Sequence, residues 1–156
     1  MDGHALTPAQ SRTLFCEAEK YLGSPYVWGG SSPETGFDCS GLICWVYQHT
    51  GLHELPRLCA QSLYFLCQPI DSFEKARPGD LIFFTNTYDA GVPITHIGIL
   101  AGNGNMLHCS REVKYSAVSE PYWKAHYYGI GRLAKRCEEV DLDGLWDSVC
   151  VRNTSR

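Results

Sequence analysis

The apolar residues change their spacing at Pro78-Gly79-Asp80, and this change limits the chain to few architectures. Before it, Leu14, Ala18 and Leu22 recur at helical spacing, after a start at Thr7-Pro8-Ala9-Gln10 that predicts a capping box. After it, short apolar and alternating runs such as Leu81-Ile82-Phe83-Phe84 predict strands. Helices followed by consecutive short strands indicate an α+β fold, with N-terminal helices packed on a central antiparallel β-sheet.

Length and net charge limit the number of domains and the classes of partner. The 156 residues suit one domain, which we place at residues 1–134, with residues 135–156 as a polar extension, peripheral or partly disordered. The net charge of −4 argues against nucleic acid or an anionic membrane as the main partner. We find neither an apolar run long enough to insert into a membrane nor a signal peptide in the first twenty residues.

Eight cysteines are many for a chain of this length, yet no two form a C-x-x-C pair. Zinc-ribbon and thioredoxin-like sites therefore lose their main support. Several cysteines lie in apolar segments, as Cys44 does, so we expect most to be buried thiols. The even count leaves one or two disulfides open.

Cys39 occupies the first turn of a helix predicted from about Cys39 to His49, with Asp38 as N-cap. Unpaired backbone N–H groups and the positive end of the helix dipole favour an anion there, and a thiolate is one. Cys39 is therefore a candidate nucleophile. A capped helix whose first cysteine only packs remains the alternative.

Two histidines follow on predicted strands. Ile97 and Ile99 point to one face, so His96 points to the other, and His108 lies beyond the turn Gly102-Asn103-Gly104-Asn105. A two-residue loop would place the two histidines on opposite faces, whereas a three-residue loop would pair Gly98 with His108 and bring the rings together. Only the second register allows a thiol, a base and an orienting group to meet.

Seven stretches occur together and in order. They are Leu22-Gly23-Ser24-Pro25-Tyr26-Val27-Trp28-Gly29-Gly30, Phe37-Asp38-Cys39-Ser40-Gly41-Leu42, Leu55-Pro56-Arg57 with Gln61, Pro78-Gly79-Asp80-Leu81-Ile82-Phe83-Phe84, Thr95-His96-Ile97-Gly98-Ile99, Gly102-Asn103-Gly104-Asn105-Met106-Leu107-His108 and Tyr128-Gly129-Ile130-Gly131-Arg132. Through them the chain resembles the NlpC/p60 cell-wall cysteine peptidases of the papain-like clan, over roughly residues 8–133.

The resemblance implies a papain-like fold and a peptidase that cuts peptidoglycan stem peptides, typically at the γ-D-glutamyl–diamino acid bond. It implies Cys39 as nucleophile, His96 as base and His108 as third member, with no metal or cofactor. In the family, residues matching Tyr26, Asp38 and Ser40 lie beside the nucleophile or bind the substrate's free amine. We expect a monomer acting in the cell wall or outside the cell, once exported or delivered within a longer chain.

Other functions remain open. A papain-like amidase or acyltransferase would use the same cysteine and histidine, because both reactions pass through an acyl-enzyme. A non-catalytic wall-binding module is a third possibility. His49 and His53 are too few for a zinc site. Arg57 is either a contact for a substrate carboxylate or a structural hydrogen-bond donor.

Overall fold

The computed structural model describes residues 5–134. Their helices are α1 (Pro8–Glu19), α2 (Cys39–His49), α3 (Ala60–Phe65) and α4 (Pro121–His126). Their strands are β1 (Ser31–Ser32), β2 (Gly36–Phe37), β3 (Cys67–Ile70), β4 (Leu81–Phe84), β5 (His96–Leu100), β6 (Asn105–Cys109), β7 (Val113–Ala117) and β8 (Tyr127–Leu133). Three helices precede the main run of strands, which confirms the predicted α+β class.

The main sheet has six strands in the order β3-β8-β4-β5-β6-β7, and each neighbouring pair is antiparallel. Strands β1 and β2 form a separate two-stranded ladder just before α2. All four residues of β4 and all five of β5 are buried, as expected for strands covered on both faces. The sheet centre is therefore a rigid support for side chains at its surface.

Two apolar layers cover the sheet. Phe83 and Ile97 belong to the layer that includes the buried face of α2, whereas Phe84 belongs to a smaller layer closed by Trp123 of α4. Since side chains alternate along a strand, His96 must lie on the side opposite Ile97. The aromatic contacts of His96 with Phe84 and Trp123 confirm that expectation.

Polar contacts fix the ends of these elements. Thr7 Oγ1 accepts a hydrogen bond from Gln10 N at 3.1 Å, and Thr7 N donates to Gln10 Oε1 at 2.9 Å, so the predicted capping box is present. Asp80, just before β4, receives two hydrogen bonds from Arg132 of β8, at 2.8 and 2.7 Å. Such a bidentate ion pair fixes the two strands in register.

Some elements differ from the prediction. Helix α3 ends at Phe65 and the chain turns into β3, because Cys67 pairs with Leu133. Neither β7 nor α4 was predicted. The residues of β7 do alternate apolar and polar, which is a strand pattern, but burial does not follow that alternation, since Val113 and Ser116 are buried whereas Tyr115 is exposed. The six residues of α4 are too few to show helical periodicity.

The six cysteines of the described region form no disulfide among themselves, and four of them are buried, as predicted for packing thiols. The proposed extension over 135–156 lies outside the described residues. No helix within residues 5–134 has the length and apolar character needed to cross a bilayer.

Candidate active site

Cys39 is the first residue of α2, as predicted, and its side chain is 3% exposed. Asp38 caps the helix, since its Oδ1 accepts a hydrogen bond from Gly41 N at 2.7 Å. Gly41 allows the preceding loop to approach, because a Cβ there would lie 2.0 Å from Gly30 O. The Cys39 sulfur lies 3.9 Å from the carbonyl oxygen of Thr95, the residue before His96.

A buried ion pair holds this helix start. Arg57 Nη2 lies 2.7 Å from Asp38 Oδ1, while its Nη1 donates to Ser40 Oγ at 3.0 Å and to Leu58 O at 2.8 Å. Asp38 and Ser40 are fully buried. Of the two roles considered for Arg57, the contacts support the structural one.

A three-residue turn aligns the two histidines. Leu100 pairs with Met106 across β5 and β6, and Ala101 N donates to Asn105 O, which leaves residues 102–104 in the turn. Gly102 and Gly104 have φ values of 90° and 84°, a region that favours glycine. The longer of the two predicted loops is therefore correct, and Gly98 stands opposite His108.

His96 and His108 meet as that register requires. Nε2 of His96 and Nδ1 of His108 are 2.8 Å apart, within hydrogen-bonding distance. A Cβ at position 98 would lie 3.3 Å from the Cβ of His108, so the glycine makes room for the second ring. The expected neighbourhood of the two imidazoles is present.

Burial keeps both rings neutral. It lowers the pKa of His96 from 6.5 to about 3. The pKa of His108 falls to about 2, mainly by burial and further by the charges of His96 and Lys114. Both imidazoles therefore lack the extra proton at neutral pH, the state required of a base.

Two neighbours of these rings were not predicted. Trp123, only 7% exposed, stacks on His96 with ring centroids 5.0 Å apart and meets His108 edge to face. Ser116 Oγ lies 2.8 Å from His108 Nε2. Both residues belong to elements that were not predicted; the apolar–polar alternation of Val113–Ala117 could have indicated the strand of Ser116, but not its contact with His108.

A cavity of about 520 Å³ opens at this place. Tyr26, Cys39 and His96 line it together, so the structure gathers the predicted nucleophile, base and tyrosine around one space. His108 lies behind His96, fully buried. The predicted substrate residues Asp38 and Ser40 lie instead in the buried network below the helix start.

A second thiol also borders the cavity. Cys109 Sγ donates to Phe37 O at 3.2 Å, and burial raises the pKa of this thiol to about 12. It therefore stays protonated at neutral pH and is a poor nucleophile. Of the two thiols that border the cavity, Cys39 therefore remains the candidate nucleophile.

Known proteins share this sequence and fold. The bifunctional muramidase/DL-endopeptidase CwlT of Bacillus subtilis is 46% identical over 122 residues, which cover 78% of this chain and 36% of that protein. The murein DD-endopeptidase MepH of Escherichia coli is 41% identical over 117 residues, covering 72% of this chain and 42% of MepH. The chain thus spans less than half the length of either relative.

A solved structure extends the likeness to three dimensions. A lipoprotein-like NLP/P60 family protein of Staphylococcus aureus superposes with a TM-score of 0.80 at 41% identity, covering 86% of this chain and 44% of that one. The family model described as "NlpC/P60 family" matches residues 23–132, which include every predicted site residue. The chain therefore belongs to the NlpC/P60 family.

Proposed function

We propose that this chain is the catalytic domain of a peptidoglycan endopeptidase that hydrolyses stem peptides through a Cys39 acyl-enzyme. The observation that carries the proposal is the shared cavity of Cys39 and His96, with His108 hydrogen-bonded behind His96. The endopeptidase names of CwlT and MepH support it. We place its action on the outer side of the cell, where peptidoglycan lies.

Acylation begins with the thiol of Cys39. Its sulfur attacks the peptide carbonyl carbon while its proton passes to Nδ1 of His96, the ring nitrogen not used for the contact with His108. Backbone N–H groups at the start of α2, with the Tyr26 hydroxyl, stabilise the oxyanion. His96 then protonates the leaving amine as the C–N bond breaks, which leaves a thioester on Cys39.

Deacylation reverses the roles. Water attacks the thioester carbonyl and gives its proton to His96 Nδ1. The C–S bond breaks, the acid leaves, and the proton returns to the sulfur. His108 holds the base in orientation through both steps, so its contribution is to geometry rather than to proton transfer.

We propose the γ-D-glutamyl–diamino acid bond as the one cut. Such a substrate carries carboxylates, and the exposed side chains of Arg111 and Lys114 line the cavity, together with one acidic residue, Glu120. Tyr26 lies where it can touch the substrate. Asp38 and Ser40 would contribute by shaping the pocket floor, since bound amine would have to displace their present partners.

Muropeptide digestion tests the proposal. The purified chain and its Cys39→Ala variant are incubated with muropeptides, and the products are identified by mass spectrometry. We expect two products from the wild type only. One is a peptide that ends in D-glutamate, and the other is a peptide that begins with the diamino acid and carries a newly freed amino group. Cleavage between two D-residues instead would contradict the proposed bond, and equal products from both proteins would contradict the nucleophile.

Two inhibitors and a competing amine complete the test. Activity should survive EDTA and be lost to iodoacetamide, because the mechanism needs a thiolate and no metal. Hydroxylamine added to the digest reports acyl transfer as hydroxamate. If hydroxamate replaces the acid at low amine concentration, the enzyme is a transferase rather than a hydrolase.

A further inference from the structure

The side chain of Ser116 is hydrogen-bonded to the outer nitrogen of His108, Nε2. Its Oγ lies 2.8 Å from His108 Nε2, and the residue is 7% exposed. It reaches His108 from β7, where it pairs with Met106 and so lies diagonally across from His108. His96, His108 and Ser116 thus form a row across β5, β6 and β7.

The proposed role of His96 as base determines which nitrogen of each imidazole carries the proton. To take the Cys39 proton on Nδ1, neutral His96 must carry its own proton on Nε2. That N–H then donates to His108 Nδ1, which must be the bare nitrogen of the second ring. The proton of His108 consequently lies on Nε2 and needs an acceptor there.

The hydroxyl oxygen of Ser116, 2.8 Å away, is placed to accept this hydrogen bond. We propose that Ser116 is a positioning residue, which holds His108 in its Nε2–H tautomer and thereby leaves His96 Nδ1 open for the thiol proton. The inference rests on the proposed function and deepens it. Without the hydroxyl, a buried N–H would be left unpaired, which disfavours this tautomer.

The opposite tautomer would stop the chemistry. If His108 moved its proton to Nδ1, it would donate to His96 Nε2 and force the proton of His96 onto Nδ1. That nitrogen could then no longer act as base. Burial and, further, the charge of Lys114, which pairs directly with His108 across the two strands, oppose protonation of His108. The ring therefore stays neutral, and a neutral imidazole has only these two tautomers.

The experiment compares Ser116→Ala with Ser116→Thr in the full chain. Ser116→Thr keeps a hydroxyl, while Ser62→Ala serves as the matched control, since Ser62 is a fully buried serine of α3. We expect Ser116→Ala to lower kcat by roughly ten- to hundredfold with KM little changed, by analogy with the hydrogen-bond partners that orient metal-bound histidines. Ser116→Thr should restore most of it.

Nitrogen NMR of 15N-histidine-labelled protein supplies the decisive reading. We expect the His108 signals of the wild type to show protonated Nε2, and those of Ser116→Ala to show protonated Nδ1. Loss of activity without this change would overturn the proposal, because a merely structural role would explain it; so would unchanged kcat.

The two proposals can fail separately. NMR reads the tautomer without any substrate, so a wild type that does not cut muropeptides but switches tautomer on Ser116→Ala would refute the function alone. An active wild type whose tautomer is indifferent to Ser116→Ala would refute the positioning role alone.

Discussion

Nε2 of His96 lies 2.8 Å from Nδ1 of His108, and the two rings stand at 80° to each other. The contact uses one nitrogen of His96 and leaves the other, Nδ1, for the proton exchange with the thiol that we propose. Of the two histidines, His96 alone borders the cavity, which supports unequal roles for them.

The unequal roles predict unequal losses. His96→Ala should lower kcat by about 10²–10⁴-fold, the usual contribution of a general base. His108→Ala should lower kcat by less than His96→Ala does, because an orienting group is partly replaceable. Steady-state kinetics on a synthetic stem peptide measure both, and a larger loss in His108→Ala would contradict the assignment.

Two cysteines in one cavity should behave in opposite ways. Cys39→Ala should reduce turnover roughly a thousandfold or more, as removal of a nucleophile does. Cys109→Ala is its matched control and should keep most activity, because its buried thiol stays protonated. Alkylation mass spectrometry should accordingly find Cys39 labelled before Cys109, and the reverse order would count against Cys39.

Acid should destabilise the fold from about pH 6.5 downward. The folded state keeps His96 and His108 neutral because burial lowers their pKa, whereas the unfolded chain protonates them near 6.5. Below that pH the unfolded state binds more protons, so the free energy of unfolding falls by up to about 1.4 kcal/mol per pH unit and histidine.

Urea titrations of the wild type and His108→Gln test this between pH 7 and 4. The variant lacks one of the two buried imidazoles, so its stability should fall less steeply with acid. Equal slopes in the two proteins would show that His108 does not titrate on unfolding.

Trp123 should matter through its stack on His96. In the proposed acylation step that ring becomes cationic, and an indole face stabilises a cation by about 0.5–2 kcal/mol. Trp123→Phe should thus lower kcat less than about tenfold, while Trp123→Leu, which keeps apolar volume but no ring, should lower it further. Equal kcat in both variants would contradict the stacking role; thermal melts control for folding.

Arg57 should contribute to stability rather than to substrate affinity. Arg57→Met leaves the buried carboxylate of Asp38 without its ion partner, which typically costs about 3–5 kcal/mol. The double variant Asp38→Asn/Arg57→Met should regain part of this loss, because no buried charge remains. Urea denaturation measures the free energy of unfolding of each protein. An Arg57→Met variant as stable as the wild type would contradict the structural role of Arg57.

Local patterns predicted the elements that carry Cys39 and His96. Capping residues, an apolar helix face and strand alternation are all readable over a few residues, and they located α2 and β5. The His96–His108 contact needed the turn length as well, and there two registers remained open. Gly102 and Gly104 permit the longer turn, but the same glycines suit the shorter one too.

Residues that depend on distant neighbours could not be predicted. Trp123 lies in a six-residue helix that is helical because it packs on Phe84 and His96. In β7 the polar Ser116 is buried while the apolar Tyr115 is exposed, so the apolar–polar alternation would place Ser116 on the solvent side and gives no sign of its contact with His108. Likewise, the burial of Asp38 follows from Arg57, nineteen positions away.

The turn at residues 102–104 determines the geometry of the candidate site although it does not line the cavity. It sets which face of the sheet receives His108. One residue more or less there would move the imidazole to the opposite face of the sheet, the face that packs against α2. Surface loops usually tolerate changes of length. In this hairpin a change of length would separate His108 from His96, so we expect the turn to be as intolerant of insertions and deletions as the site residues are of substitution.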